Sequence, residues 1–174
     1  MTPDWKATHL DLHRFTHLAG EYRGDTPLAQ LPRVLDVCLT WPGIEQRRCQ
    51  WLLRGELRAL AGTNQAWLHL SAELTVVQTC QRCLEPMDVA VLVDRWFRLV
   101  ADETTALAED DDCEEDLLAM SHEFNAQALL EDDLLLAMPL VPRHLACHAP
   151  LSPALEDDLP HLFAALASLK SPKQ

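Results

Sequence analysis

Three stretches of this chain alternate apolar and polar residues with a period of two. Over residues 46–60, Cys49, Trp51, Leu53, Gly55, Leu57 and Ala59 share one face. Arg48, Gln50, Leu52, Arg54, Glu56 and Arg58 share the other, which is mostly polar. Successive strand side chains point to opposite sides, so this pattern predicts a half-buried strand. "GTN" follows as a turn, and residues 66–78 repeat the pattern with Leu68, Leu70, Ala72, Leu74 and Val76. A further strand is predicted over 88–100. Residues 34–41, "VLDVCLTW", read as an earlier strand closed by Pro42-Gly43. Four successive strands with short connections predict an antiparallel meander of about four strands with flanking helices, an α+β fold.

The helical signals lie at the two ends. Residues 9–19 read as a short helix stopped by Gly20, offering Leu12, Phe15 and Leu18 to a core. In "GDTPLAQL", Thr26 is placed as an N-cap with Pro27 at the first helical position. Asn125 caps a helix running to about residue 138, with Ala128, Leu129, Leu135 and Leu136 near one stripe and Glu131, Asp132 and Asp133 clustered. Pro139 and Pro142 end it. The tail "HLFAALASLK" reads as a short amphipathic helix, docked on the domain in preference to a partner.

Length and charge refine this outline. A chain of 174 residues predicts a single domain over 1–174. The net charge is −13, but "ADETTALAEDDDCEED", residues 101–116, holds nine acids and no base. Outside it 14 bases face 18 acids, about −4. Such a run repels itself, so 101–118 is predicted to be an acidic, mobile loop or linker. It serves solubility or, functionally, lures a basic partner. No apolar run is long enough to span a bilayer. The N-terminal residues lack a signal-peptide pattern, which predicts a cytoplasmic location. In that reducing compartment the six cysteines are expected to be thiols or ligands.

The sharpest chemistry lies in "VVQTCQRCLEPM", where Cys80 and Cys83 form a Cys-x-x-Cys. That turn brings two sulfurs within reach of one tetrahedral ion, and thiolates suit zinc. A closed site needs two more ligands. "RHLACHAP" offers Cys147 with His144 or His148, so the predicted metal set is Cys80, Cys83, Cys147 and His148, with zinc as the possible cofactor. Cys113 lies inside the acidic run and is a poor ligand candidate. A redox pair is the weaker reading, since such pairs open a helix, and Glu85 would raise a thiol pKa. The plainer reading, which takes the weight left by both, is a purely structural turn. His9, His13 and His17 stack every four residues, but a polar helix face explains them better than a metal. No glycine-rich phosphate loop and no nucleophile elbow exist, so no catalytic residue is assigned. The enzyme alternative is a metal-dependent RNA-processing activity built on the acidic run.

"CQRCLEP", following a meander and followed by acids, resembles the bacterial YceD family. "DLLLAMPLVPRH" and "FAALASLK" are similar to that family's late helix, Pro-rich segment and terminal helix. The resemblance runs from "LPRVL" to "LASLK". It implies a ribosome-biogenesis factor supporting synthesis, processing or stability of large-subunit (23S) ribosomal RNA, with no catalytic mechanism. Some members carry a second cysteine cluster after the late helix, completing four ligands. This chain keeps only Cys147 there, leaving His144 and His148 as substitutes.

Arginines supply the candidate partner contacts. Arg48, Arg54 and Arg58 share a strand face, Arg82 sits in the cysteine turn, and these four are the predicted RNA- or partner-binding residues. Arg95 and Arg98 fall on opposite faces of the fourth strand. Trp67 and His69 stack bases if they share the arginine face. The plainer reading is a solvated face of Arg–Glu pairs, with Glu56 and Glu73 available. A pI near 4.8 argues against a dedicated RNA binder. The same acidity suits holding or docking a basic large-subunit ribosomal protein. The expected partner is thus large-subunit ribosomal RNA or a pre-ribosomal particle, directly or through such a protein, with no membrane and no small-molecule substrate.

Overall fold

A computed structural model describes residues 4–60 and 62–147. Its centre is a five-stranded sheet in sequence order. β1 (Glu21–Pro27), β2 (Arg48–Leu60), β3 (Thr63–Thr79) and β4 (Pro86–Val100) pair antiparallel. β5 (Asp116–Ala119) lies parallel beside β4. The meander and the α+β class follow the alternation read from the sequence. Register places Trp51 opposite Ala72, Leu53 opposite Leu70, and Leu74 opposite Val91. These residues and their neighbours make one buried face. Over it pack α1 (Leu12–His17), α2 (Pro32–Asp36) and α4 (Ala126–Ala137), which contribute Leu12, Phe15, Val34, Leu130 and Leu134 to the same core. The other face is open.

Two early predictions are corrected. Residues 21–27 are strand, not the approach to a helix. Thr26 Oγ1 accepts a hydrogen bond from Trp51 Nε1 at 3.0 Å instead of capping a helix. Gly24 faces that indole, and a Cβ there would overlap it. Pro27 ends an edge strand, where its missing N–H breaks no ladder bond. Residues 34–41 are not a strand. Pro32 opens α2, and Leu28, Leu31 and Val34, spaced by three, are fully buried. Burial at a helical spacing outweighs the local β-propensity of "VLDVCLTW".

The acidic segment carries regular structure where charge predicts a loop. α3 (Glu103–Glu109) starts at Asp102, whose carboxylate accepts from Thr105 N at 2.8 Å. Glu109 pairs with Arg98 at 3.0 Å, and Asp116 of β5 with Arg95 at 2.5 Å. Arginines of β4 therefore neutralise part of the run and hold it against the sheet.

α4 starts at Asn125 as predicted, its side chain accepting from Gln127 N and Ala128 N. Its buried stripe differs from the predicted one. Ala126, Leu130 and Leu134 point inward and Leu136 is exposed. Glu131 and Asp133 are buried as well, drawn in by Arg33 and Arg95. The predicted tail helix, "HLFAALASLK", lies outside the described residues.

Candidate metal centre and the open sheet face

The turn joining β3 and β4 is built around Cys80. Its N–H donates to Glu85 O at 2.9 Å and its carbonyl accepts from Leu84 N at 2.9 Å. Leu84 closes the turn at φ 65, a left-handed conformation. The chain after α4 returns to this turn, and Gln81 N donates to Pro142 O at 2.9 Å. That return brings His144 and Cys147 to the cysteine pair. The donor atoms of Cys80, Cys83, His144 and Cys147 all lie within 4.8 Å of one another. Cys80 Sγ is 3.6 Å from Cys147 Sγ, and Cys83 Sγ is 3.3 Å from His144 Nδ1.

This arrangement can hold a metal ion. Thiolates bound at about 2.3 Å on a tetrahedral ion stand roughly 3.8 Å apart, close to the separations here. Three sulfurs and one imidazole nitrogen form a soft donor set. Of the two histidines read from the sequence, His144 is among the described residues and stands at the cysteines. His148 lies outside the described residues. Cys113 stands apart in the acidic segment. His9, His13 and His17 form no comparable group among the described residues; His13 stacks on His122 instead.

The electrostatics favour thiolate at the centre of the turn. Burial opposes charge on Cys80, but N–H groups of Cys83, His144 and Arg82 outweigh it and bring its pKa down to about 5. Cys83 is shifted the other way. The Glu85 N–H lowers it, yet burial and the neighbouring thiols of Cys80 and Cys147 raise it overall. Three sulfurs at this spacing do not all ionise freely without a cation among them. Arg82 supplies one positive charge: its Nε donates to Cys147 Sγ at 2.9 Å and its Nη2 to His144 O at 3.1 Å. The arginine read as a partner contact is thus engaged with the cysteine cluster.

The remaining predicted contacts lie on the open face. Arg54 sits opposite His69, and Trp67 opposite Arg98, so Trp67, His69 and the strand arginines do share it. Each predicted arginine has an acid. Arg48 pairs with Asp25 at 2.7 Å, Arg54 with Glu21 at 2.9 Å and Arg58 with Glu56 at 2.5 Å. The aromatic faces are engaged too. The Arg58 guanidinium lies 4.5 Å from the Trp67 ring and 3.9 Å from the Trp96 ring, and His69 stacks on Trp96 at 4.3 Å. Trp96 is not among the predicted contacts; its spacing of two from Arg98 on the fourth strand is the signal that the sequence offers. Beside this ladder a groove of about 690 Å³ runs over Leu52, Ser71, Glu73 and Leu92.

Among the described residues no helix is long and apolar enough to cross a membrane. A family model described as "Large ribosomal RNA subunit accumulation protein YceD" matches residues 68–170. No solved structure matches the chain.

Proposed function

The chain belongs to the YceD family, and from that premise we propose that it supports accumulation of large-subunit (23S) ribosomal RNA by binding within an assembling particle in the cytoplasm, not by catalysis. The family match over residues 68–170 carries this conclusion. Cys80, Cys83, His144 and Cys147 hold one zinc ion in this proposal. Four protein donors fill a tetrahedral shell and leave no position for water or substrate, which is the pattern of a structural zinc site. The ion's part is to staple the β3–β4 turn to the returning segment 142–147.

Charge on the open face favours a protein contact over a phosphate track. Phosphate-binding surfaces carry uncompensated cations, whereas Arg48, Arg54 and Arg58 each have a carboxylate partner. A basic large-subunit ribosomal protein, met by the acidic segment 101–118, is therefore the second reading of the direct partner.

The test is the ratio of large- to small-subunit ribosomal RNA in a strain lacking the protein, at slow and fast growth. A fall restored by the wild-type gene is expected, and an unchanged ratio at both growth rates would overturn the proposal. Affinity capture with and without ribonuclease then separates the partners. Ribosomal protein that survives nuclease identifies docking on protein, and precursor RNA whose loss removes every co-captured protein identifies RNA.

A further inference from the structure

We propose that the uncovered edge of β4 takes an extended, cationic segment of a protein partner as an added strand, an inference that rests on the reading of this chain as a factor docking on protein. β5 pairs with β4 only along residues 97–100, leaving residues 86–95 with no strand on that side. Met120 N donates to Val100 O at 2.8 Å, so the Val100 carbonyl faces the β5 side. The register of β4 on β3 runs unbroken from Pro86 to Arg98. Main-chain groups alternate between the two sides of a strand, so the N–H and C=O of Asp88, Ala90, Leu92 and Asp94 face that same edge. Among the described residues these main-chain groups have no hydrogen-bond partner. Proteins blunt such edges with lysine, proline or a bulge. This edge carries no lysine, and its proline stands at the start.

The chemistry beside the edge selects the occupant. Leu92 is 65% exposed on the open face. Glu73 stands opposite Leu92 and Ser71 opposite Asp94, and all four line the groove of about 690 Å³. Asp88 is taken by Arg47 at 2.7 Å. Among the described residues no ion pair engages Glu73, and Asp94 meets only the imidazole of His69. Arg95, the arginine of this margin, is held on the other face by Asp116 and Asp133. Two carboxylates beside an exposed leucine thus have no arginine or lysine against them among the described residues. A strand laid along β4 with lysine or arginine on its open-face side supplies one. The aliphatic stem covers Leu92, and the charged head reaches Glu73 or Asp94. Main-chain hydrogen bonds give such added strands their affinity, and alternate side chains their selectivity. A second copy of this chain fits less well, since it brings Asp88 and Asp94 to an edge that already holds both.

Residue-resolved amide exchange by nuclear magnetic resonance on the full chain tests the inference. The probe is a capped peptide of alternating lysine and valine, and its glutamate–valine counterpart is the control. The lysine peptide is expected to slow exchange at Ala90, Leu92 and Asp94, and the glutamate peptide to leave it unchanged. Leu92→Pro removes only an outward N–H, which an edge strand tolerates, and should weaken binding about tenfold. Glu73→Lys, on the exposed face, keeps the test open if the proline disturbs the strand; it too should weaken the lysine peptide. An equal response to both peptides, or none to either, would overturn the inference. Slow exchange at these amides in the free protein would overturn it as well: if it fades on dilution the occupant is a second copy, and if not, the chain's own residues. Ribosomal proteins captured equally by the wild type and Leu92→Pro after ribonuclease overturn the inference and leave the docking reading standing. Capture of RNA alone overturns both.

Discussion

Asp133 is 2% exposed on α4, with one carboxylate oxygen 2.6 Å from Arg95 Nη1. Burial raises its pKa above 3.8 despite that arginine. The folded state therefore holds the proton more tightly than the unfolded chain. Its contribution to stability is fullest below pH 3.8 and declines as pH rises through the higher folded value. Asp133→Asn should accordingly gain on the wild type as pH climbs past 3.8, seen as a widening difference between their urea midpoints. Arg95→Ala has the opposite character. It strands a buried carboxylate and should cost about 2–3 kcal/mol at neutral pH, less than for a fully buried pair because Arg95 is one-third exposed. Chemical denaturation of that variant beside Asp116→Asn, whose carboxylate is half exposed, separates the two partners. At the knuckle, Cys80→Ser or Cys147→Ser removes one of four donors. Bound zinc per chain should fall well below one, measured by elemental analysis of protein purified without chelator.

Among the elements, β1 is held by its ladder to β2 and by one close approach. The Trp51 indole lies over Gly24 and donates to Thr26. Gly24→Ala should therefore displace the indole and cost about 1–3 kcal/mol, with a changed tryptophan emission as the local readout. α1 depends on a similar contact, since a Cβ at Gly55 would stand 2.7 Å from the Phe15 ring. The open face is tied across three strands by Arg58 between Trp67 and Trp96. Trp96→Ala removes one cation–π contact and the His69 stack, and should cost about 1–2 kcal/mol in thermal or urea unfolding. If the same substitution also weakens partner capture without lowering the melting temperature further than Arg58→Ala does, the ladder is a contact surface as well as a brace.

At the scale of the molecule, the knuckle joins parts of the chain more than sixty residues apart. A metal ion bound there would add to folding stability through mass action. Free zinc at a hundred times its Kd adds about 2.7 kcal/mol if the unfolded chain does not bind it. Chelation should lower the melting temperature of the wild type and leave Cys147→Ser unmoved, as scanning calorimetry would show. The distribution of charge belongs to this scale as well. The −13 total hides an open sheet face on which Arg54, Arg58 and Arg98 pair with acids from β1, β2 and α3. Partner capture should then depend only weakly on salt if contact is through that face, and steeply if the acidic segment meets a basic protein.

The alternation of Cys49, Trp51 and Leu53, or of Leu68, Leu70 and Ala72, was legible in the sequence because strand side chains report their two faces locally. So was the Cys80–Cys83 pair, since one turn contains both sulfurs, and the Asn125 cap, since its partners are two and three residues away. The tertiary structure alone decided what the local pattern leaves open. It drew the start of "VLDVCLTW", residues 34–36, into α2 and left 37–41 outside any strand, because Leu28, Leu31 and Val34 had a core to enter. It made a parallel strand of Asp116–Ala119, because arginines on β4 offset charges that in isolation repel. It placed His144 with Cys147 at the cysteine turn, because only the return of the chain after α4 brings them there. Periodicity and turns are properties of neighbours in sequence, whereas ligand sets, ion pairs and sheet order are properties of neighbours in space.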